Sequence, residues 1–192
     1  ASTLILAENN TITANLLQVS GLQPQTLQTL RLGSVINQLN VNILSVGSNH
    51  RGSGTVNFAS GAGSMVLRAA DGTGRAEVRM AAHAIATNAN NVNTIDLTGH
   101  DADLLISTLT LVDRSASGTA SGPDNQSAGY ATFSFDQGTL DAMSVIIARR
   151  TGSGSGDGEA TLNLGGGTVQ ISSLTMAVNT SNGGVVSGTL NI

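Results

Sequence analysis

The apolar positions of this chain fall into a four-residue pattern (Thr, apolar, any residue, apolar) that returns seven times. It stands as Thr3-Leu4-Ile5-Leu6, Thr29-Leu30-Arg31-Leu32, Thr55-Val56-Asn57-Phe58, Thr94-Ile95-Asp96-Leu97, Thr132-Phe133-Ser134-Phe135, Thr161-Leu162-Asn163-Leu164 and Thr189-Leu190-Asn191-Ile192. Alternation of this kind is strand periodicity. Positions two and four then point to one face and positions one and three to the other. The third position is polar in every copy except the first, where Ile5 stands, so that face is expected to be wet. Leu30, Leu32, Val56, Phe58, Ile95, Leu97, Phe133, Phe135, Leu162 and Leu164 are expected to point into a core.

Successive Thr positions are separated by 26, 26, 39, 38, 29 and 28 residues. Within each interval a second strand follows a Gly or polar corner, as at Thr11-Ile12-Thr13, Thr139-Leu140-Asp141 and Thr168-Val169-Gln170-Ile171. A third is expected at Leu16 to Val19, Val41 to Val46, Leu109 to Val112, Val145 to Ala148 and Leu174 to Val178. Segment 32–46 also matches 164–178 at a constant offset, pairing Leu32 with Leu164, Gln38 with Gln170 and Val46 with Val178. A unit of 26–29 residues holding three short strands fits one triangular coil of a repeat fold. The expected fold is therefore all-β: a right-handed parallel β-helix (β-solenoid) of six to seven rungs. The two long intervals require outward loops, placed at Ala82–Asn91 and Ser115–Ala128. Residues 1–192 read as a single β-solenoid domain, either a rod in its own right or a fragment or repeat unit of a longer chain or fibre. An antiparallel sandwich also uses many short strands, but seven copies of one motif at near-regular spacing argue against it.

Composition narrows the picture. Hydrophobic residues make up 40% of the chain and aromatics 2%, so the core is narrow and built from Val, Ile, Leu and Ala. Net charge is −4, every basic residue is Arg, and Lys is absent. No basic stripe alternates with aromatics, so both the electrostatic and the stacking footprints of nucleic-acid binding are missing. Cys is absent, which removes disulfides, thiolate catalysis and Cys-type zinc sites. No apolar run reaches transmembrane length, and no secretory signal pattern is present.

The stretch Gly158-Glu159-Ala160-Thr161-Leu162-Asn163-Leu164-Gly165-Gly166-Gly167-Thr168-Val169, followed by Ser187-Gly188-Thr189-Leu190-Asn191-Ile192, resembles bacterial autotransporter-associated β-strand repeats. The resemblance is strongest from about 129 to 192 and recurs in 29–70. It implies a β-helical passenger-type protein at the cell surface or outside the cell, with a scaffold, adhesin or matrix role. It carries no catalytic residues over, and no membrane β-barrel segment of the autotransporter plan is present.

Candidate chemistry is sparse. His100-Asp101-Ala102-Asp103, near Asp96, offers the best paired carboxylates. An extended backbone would put Asp101 and Asp103 on one face, and such pairs hydrolyse polysaccharides; a polar corner after Leu97-Thr98-Gly99 is the weightier reading. The one aromatic platform for a sugar there would be Tyr130. His50, His83 and His100 lack metal-ligand spacing. Gly152-Ser153-Gly154-Ser155-Gly156-Asp157-Gly158-Glu159 resembles a calcium turn but occurs once, where such turns recur in tandem; Asp71-Gly72-Thr73-Gly74 and Asp124-Asn125 read as single turns. The Gly-x-Ser-x-Gly form at Gly152–Gly156 lacks the strand–turn–helix setting of a nucleophile elbow. Asn9, Asn125 and Asn179 match the glycosylation acceptor pattern. No catalytic, cofactor or metal residue is assigned, and no enzyme activity, cofactor or metal is expected.

The expected function is thus an extracellular structural or interaction protein, a rigid rod of a surface appendage, fibre or matrix. An adhesin-type module using the two loops against a glycan or host surface comes second, and a polysaccharide-degrading β-helix enzyme third. The pattern runs from Thr3 to Ile192 without a polar cap, so end-to-end association with copies of itself or with adjacent repeats is expected.

Overall fold

The computed structural model describes residues 1–20, 26–48, 52–59, 61–82, 91–114, 129–151, 157–180 and 184–192. These hold strands and no helix; accordingly, no helix among them is long and apolar enough to cross a membrane. Among the described residues, fourteen strands form two parallel sheets. The first sheet holds the short strands β1 (Ser2–Ile5), β3 (Gln28–Leu32), β5 (Gly54–Phe58), β8 (Asn91–Asp96), β10 (Gly129–Phe135), β12 (Gly158–Leu164) and β14 (Val186–Asn191), side by side in chain order. The second holds the longer β2 (Asn9–Val19), β4 (Ile36–Val46), β9 (Asp101–Thr110), β11 (Gln137–Arg150) and β13 (Thr168–Asn179), with β6 (Ser64–Arg68) and β7 (Ala76–Met80) between β4 and β9. The chain thus alternates between sheets, adding one strand to each on a pass, except that the pass after β5 adds both β6 and β7 to the second sheet.

The recurring motif sets the register of the first sheet without a slip. Thr3 pairs with Thr29, Thr29 with Thr55, Thr55 with Thr94, Thr94 with Thr132, Thr132 with Thr161, and Thr161 with Thr189. The apolar positions therefore stack on one another, Leu30 on Val56 and Phe133 between Ile95 and Leu162. A one-residue slip would turn every such side chain outward, so burial fixes the register. All ten expected core positions are buried except Phe58, which is half-buried. It lies where the first sheet's turn meets His100, whose ring stacks on it at 3.7 Å between centroids.

The second sheet corrects the expectation of three separate strands per pass. The second and third strands are one continuous strand that bends. Inward positions run Leu39, Val41, then Leu44, Val46; likewise Leu140, Ala142, then Val145, Ile147. Two consecutive residues at the bend face away, such as Met143 and Ser144, so the inward parity switches while the backbone stays extended. Pairing skips one position at each bend, for instance between Ala142–Ile171 and Ser144–Ser173. In one pass the bend is enlarged: Arg68 takes the place of Asn40, but Glu77 follows nine residues later where Ile43 follows three after Asn40. The Ala69–Arg75 turn therefore supplies part of the excess of the 39-residue interval. The expected loops at Ala82–Asn91 and Ser115–Ala128 lie, except for Ala82 and Asn91 themselves, outside the described residues.

The constant offset between 32–46 and 164–178 also needs correction. It holds at Leu32 and Leu164, but in the second sheet Gln38 lies in the column of Thr168, and Asn40 in that of Gln170. The alignment shifts by two at the corner. A shift of two preserves inside and outside, so the alternating pattern cannot reveal it.

Candidate functional site

The charged side chains cluster along the second sheet and its corners. Asp96 Oδ1 accepts hydrogen bonds from the Thr98 amide (3.1 Å) and hydroxyl (2.7 Å). Asp136, one pass further on, accepts from the Gly99 amide at 2.8 and 3.0 Å. Both carboxylates thus hold the turn before β9, the use expected of Asp at a corner. His100 ends this turn, with Nδ1 3.2 Å from the Gly63 carbonyl oxygen and its ring against Phe58.

Asp101 and Asp103 begin β9 with buried Ala102 between them, so they share the outer face as alternation requires. They are not equivalent. Asp103 is paired with Arg68, which also donates to the Asp103 backbone oxygen at 2.8 Å. Asp101 is exposed. The nearest sequence candidate for acid–base chemistry is therefore one carboxylate engaged by a guanidinium beside one open to solvent.

The same commitment recurs elsewhere. Arg75, at the end of the enlarged bend, reaches past β9 to form a two-pronged pair with Asp141 on β11 (2.9 and 2.6 Å), and donates to the Asp141 backbone oxygen at 2.8 Å. Its hydrogen bond holds the Asp141 carboxyl below the ordinary carboxylate range and raises Arg75. Arg79 grips Glu77 at 2.6 and 2.7 Å, and Arg149 pairs with buried Asp113. Asp71 Oδ1 accepts from the Gly74 and Thr73 amides at 2.7 and 2.8 Å, and these bonds lower its pKa. Asp157 accepts from the Val185 amide at 2.7 Å. Beyond β9 and at the end of β11, burial is the main cause that lowers the Arg114 and Arg150 guanidinium pKa values; the Arg150 charge adds to the effect on Arg114, and Asp157 opposes it on both.

Buried amides fasten the frame from within. Asn37 Oδ1 accepts from the Gly33 amide and from Asn10 (both 2.6 Å), and its Nδ2 donates to the Gly33 and Ser64 carbonyls (2.8 and 3.0 Å). Asn91 donates to the Gly47 and Gly52 carbonyls (3.0 and 2.9 Å), and Asn93 accepts from the Gly54 amide (2.9 Å). These groups satisfy backbone atoms that the corners leave unpaired. Sequence reasoning missed them, and missed the Arg75–Asp141 pair. An Asn in an alternating strand carries no mark of facing inward, and Arg75 and Asp141 meet across 66 positions.

The remaining candidates scatter. Tyr130 is half-buried in β10, and Glu159 is its paired neighbour in β12. Asn9 and Asn179 are exposed in edge strands. His50, His83, Asp124, Asn125 and Gly152–Gly156 lie outside the described residues. Among the described residues, no three His, Asp or Glu side chains gather where a metal ion could sit. Compared with family models, curated proteins and solved structures, the chain matches none.

Proposed function

We propose that this chain is a right-handed parallel β-helix serving as an extracellular structural or interaction module, a rigid segment of a surface fibre or matrix, and that it catalyses no reaction. The observation that supports this most is the unbroken register of the seven Thr motifs. A chain that alternates between two parallel sheets and extends each on successive passes winds about an axis. Crossovers between parallel strands of one sheet are right-handed in about 98% of cases. Six steps of about 4.8 Å give a stack roughly 29 Å long. Eight of the twelve acidic side chains are spent on the frame itself: Asp96, Asp136, Asp71 and Asp157 on backbone amides, and Asp103, Asp113, Asp141 and Glu77 on arginines. Asp101, the remaining member of the candidate pair, has no free carboxylate beside it on β9. The resemblance to autotransporter-associated repeats supplies the extracellular setting.

Two measurements test the reading. Antibody labelling of intact producing cells should mark their surface or surroundings, and labelling confined to the cytoplasm would refute the setting. Incubation with acidic polysaccharides should release no product. Saturable cleavage that disappears in Asp101→Asn would replace the structural role with an enzymatic one. Selective retention on a glycan array would instead favour an adhesive module.

A further inference from the structure

The outer face of the first sheet carries a polar column that neither the core nor the frame uses. Thr94, Thr132 and Thr161 are paired neighbours in β8, β10 and β12. They are half-exposed, on the face opposite buried Ile95, Phe133 and Leu162. Among the described residues their hydroxyls make no hydrogen bond, whereas the Thr98 hydroxyl closes a turn on Asp96 and Asn163 donates to Ser134 at 3.0 Å. Val or Ile would serve an exposed strand position as well as Thr, so the repeated Thr adds an unspent hydroxyl at every step. β5 and β14 flank these three strands, so this face lies within the stack.

Beside the hydroxyls runs a second outward column of different character. Val92, Tyr130 and Glu159 stand two residues before the three threonines and pair with one another across the same strands. Val92 is 50% exposed, although it is apolar. Tyr130, the one Tyr of the chain, is half-buried, and among the described residues its hydroxyl makes no hydrogen bond. Glu159 is exposed. An apolar strip ending in a carboxylate thus lies along a strip of hydroxyls. A pyranose ring is two-sided in the same way. Its C–H faces pack on an aromatic ring, and its edge is a row of hydroxyls that both donate and accept. Tyr130 and Thr132 are two residues apart on one strand, roughly 6.6 Å, so a ring on the phenol can set its edge against the Thr column. The strands β8, β10 and β12 carry no Arg, and Asp96 and Glu159 are their charged residues, so this face repels an acidic polymer.

We propose that this face binds one strand of an uncharged polysaccharide, running along the stack across β8, β10 and β12. One sugar ring packs on Tyr130 and Val92, the hydroxyl edges meet Thr94, Thr132 and Thr161, and Glu159 accepts from a further hydroxyl. A polymer suits the site because the site itself repeats. Each strand adds the same Thr about 4.8 Å further on, and a sugar residue advances along its chain by about one strand spacing. Single contacts of this kind are weak, since each hydroxyl gives up water to make them. Linked sugars pay the cost of association once and collect one contact per strand. The proposal rests on the reading of the chain as a structural or interaction module and names a matrix polysaccharide as its partner.

The test is co-sedimentation of the whole chain with cellulose, chitin and β-1,3-glucan, with alginate beads as the acidic control. At least one neutral polymer should retain the chain, and alginate should not. Tyr130→Ala should weaken retention about tenfold, the scale of losing an aromatic anchor. Thr132→Val removes a hydroxyl while keeping the shape and the strand propensity, and should weaken it about threefold. Thr139→Val, half-exposed on the second sheet, should leave it unchanged. Circular dichroism of each variant establishes that the fold is retained. With soluble oligosaccharides of the retaining polymer, calorimetric affinity should rise from one sugar to about three, one for each strand of the site. A folded chain that none of the three polymers retains would overturn the proposal, while surface labelling of cells tests the structural-module reading separately. Retention equal in Tyr130→Ala, Thr132→Val and the parent chain would remove the contact from this face. Equal retention on alginate would overturn the uncharged ligand class, and affinity independent of length would overturn the repeating site.

Discussion

Replacing Phe133 by Ala tests the stack where it is deepest. Phe133 is 2% exposed in β10, directly between Ile95 of β8 and Leu162 of β12. Truncation removes most of an aromatic side chain from water-excluded packing on both sides, and parallel ladders above and below limit collapse around the void. Deletions of this kind cost about 3–5 kcal/mol, against a total stability of about 5–15 kcal/mol for an ordinary domain. The edge provides the comparison. Leu190 is half-buried in β14 and stacks on Leu162 alone among the described strands. Leu190→Ala should cost about 1 kcal/mol, well below the range of fully buried Leu truncations. The asymmetry follows from nearest-neighbour energetics, because a central strand contacts two neighbours and a terminal one contacts one. Guanidinium titration at one low protein concentration measures both, since association would make stability concentration-dependent. The midpoint should fall far more for Phe133→Ala, with little change in slope. Equal losses at the two sites, or no loss at Phe133, would refute the stacked-column account of the core.

Three further outcomes are expected. At Gly138 φ is +93°, and an added Cβ would lie 2.2 Å from the Ala102 carbonyl oxygen, whereas at Gly99 φ is +77° with open space around it; thermal melts should show Gly138→Ala far more destabilising than Gly99→Ala, which carries only the left-handed penalty of about 1–2 kcal/mol. Ala148 is fully buried at φ 58°, so Ala148→Val should cost about 2–4 kcal/mol from a β-branched left-handed residue and overpacking together, while Ala148→Gly, which trades a methyl of about 0.8 kcal/mol against relief of that strain, should be nearly neutral by denaturant titration. The carboxyls of Asp71 and Asp141 are held below the ordinary value, so the folded state binds fewer protons than the unfolded one; their stabilisation is present above about pH 4 and lost as pH falls through the lower folded values, and Asp141→Asn should flatten the loss of melting temperature on acidification.

The amino-acid pattern by itself determined the class of the fold, the positions of the short strands and, through the repeated Thr, their register. It could do so because burial on one face of a period-two strand leaves a local mark at every step. It left three matters to the tertiary structure. Whether the second and third strands were separate depended on a bend made by two outward residues, which needs no Gly or Pro and so leaves no turn signal. The two-residue shift between the halves of the chain was hidden by the same periodicity that revealed the strands. The uses of the polar side chains were decided by proximity across passes: Arg75 reaches Asp141 only because two strands bring them together, and Asn37, Asn91 and Asn93 face inward only because the corners there leave backbone groups to satisfy. Periodicity is a property of neighbours in sequence, whereas pairing across passes is a property of the stack, and the folded chain alone fixes it.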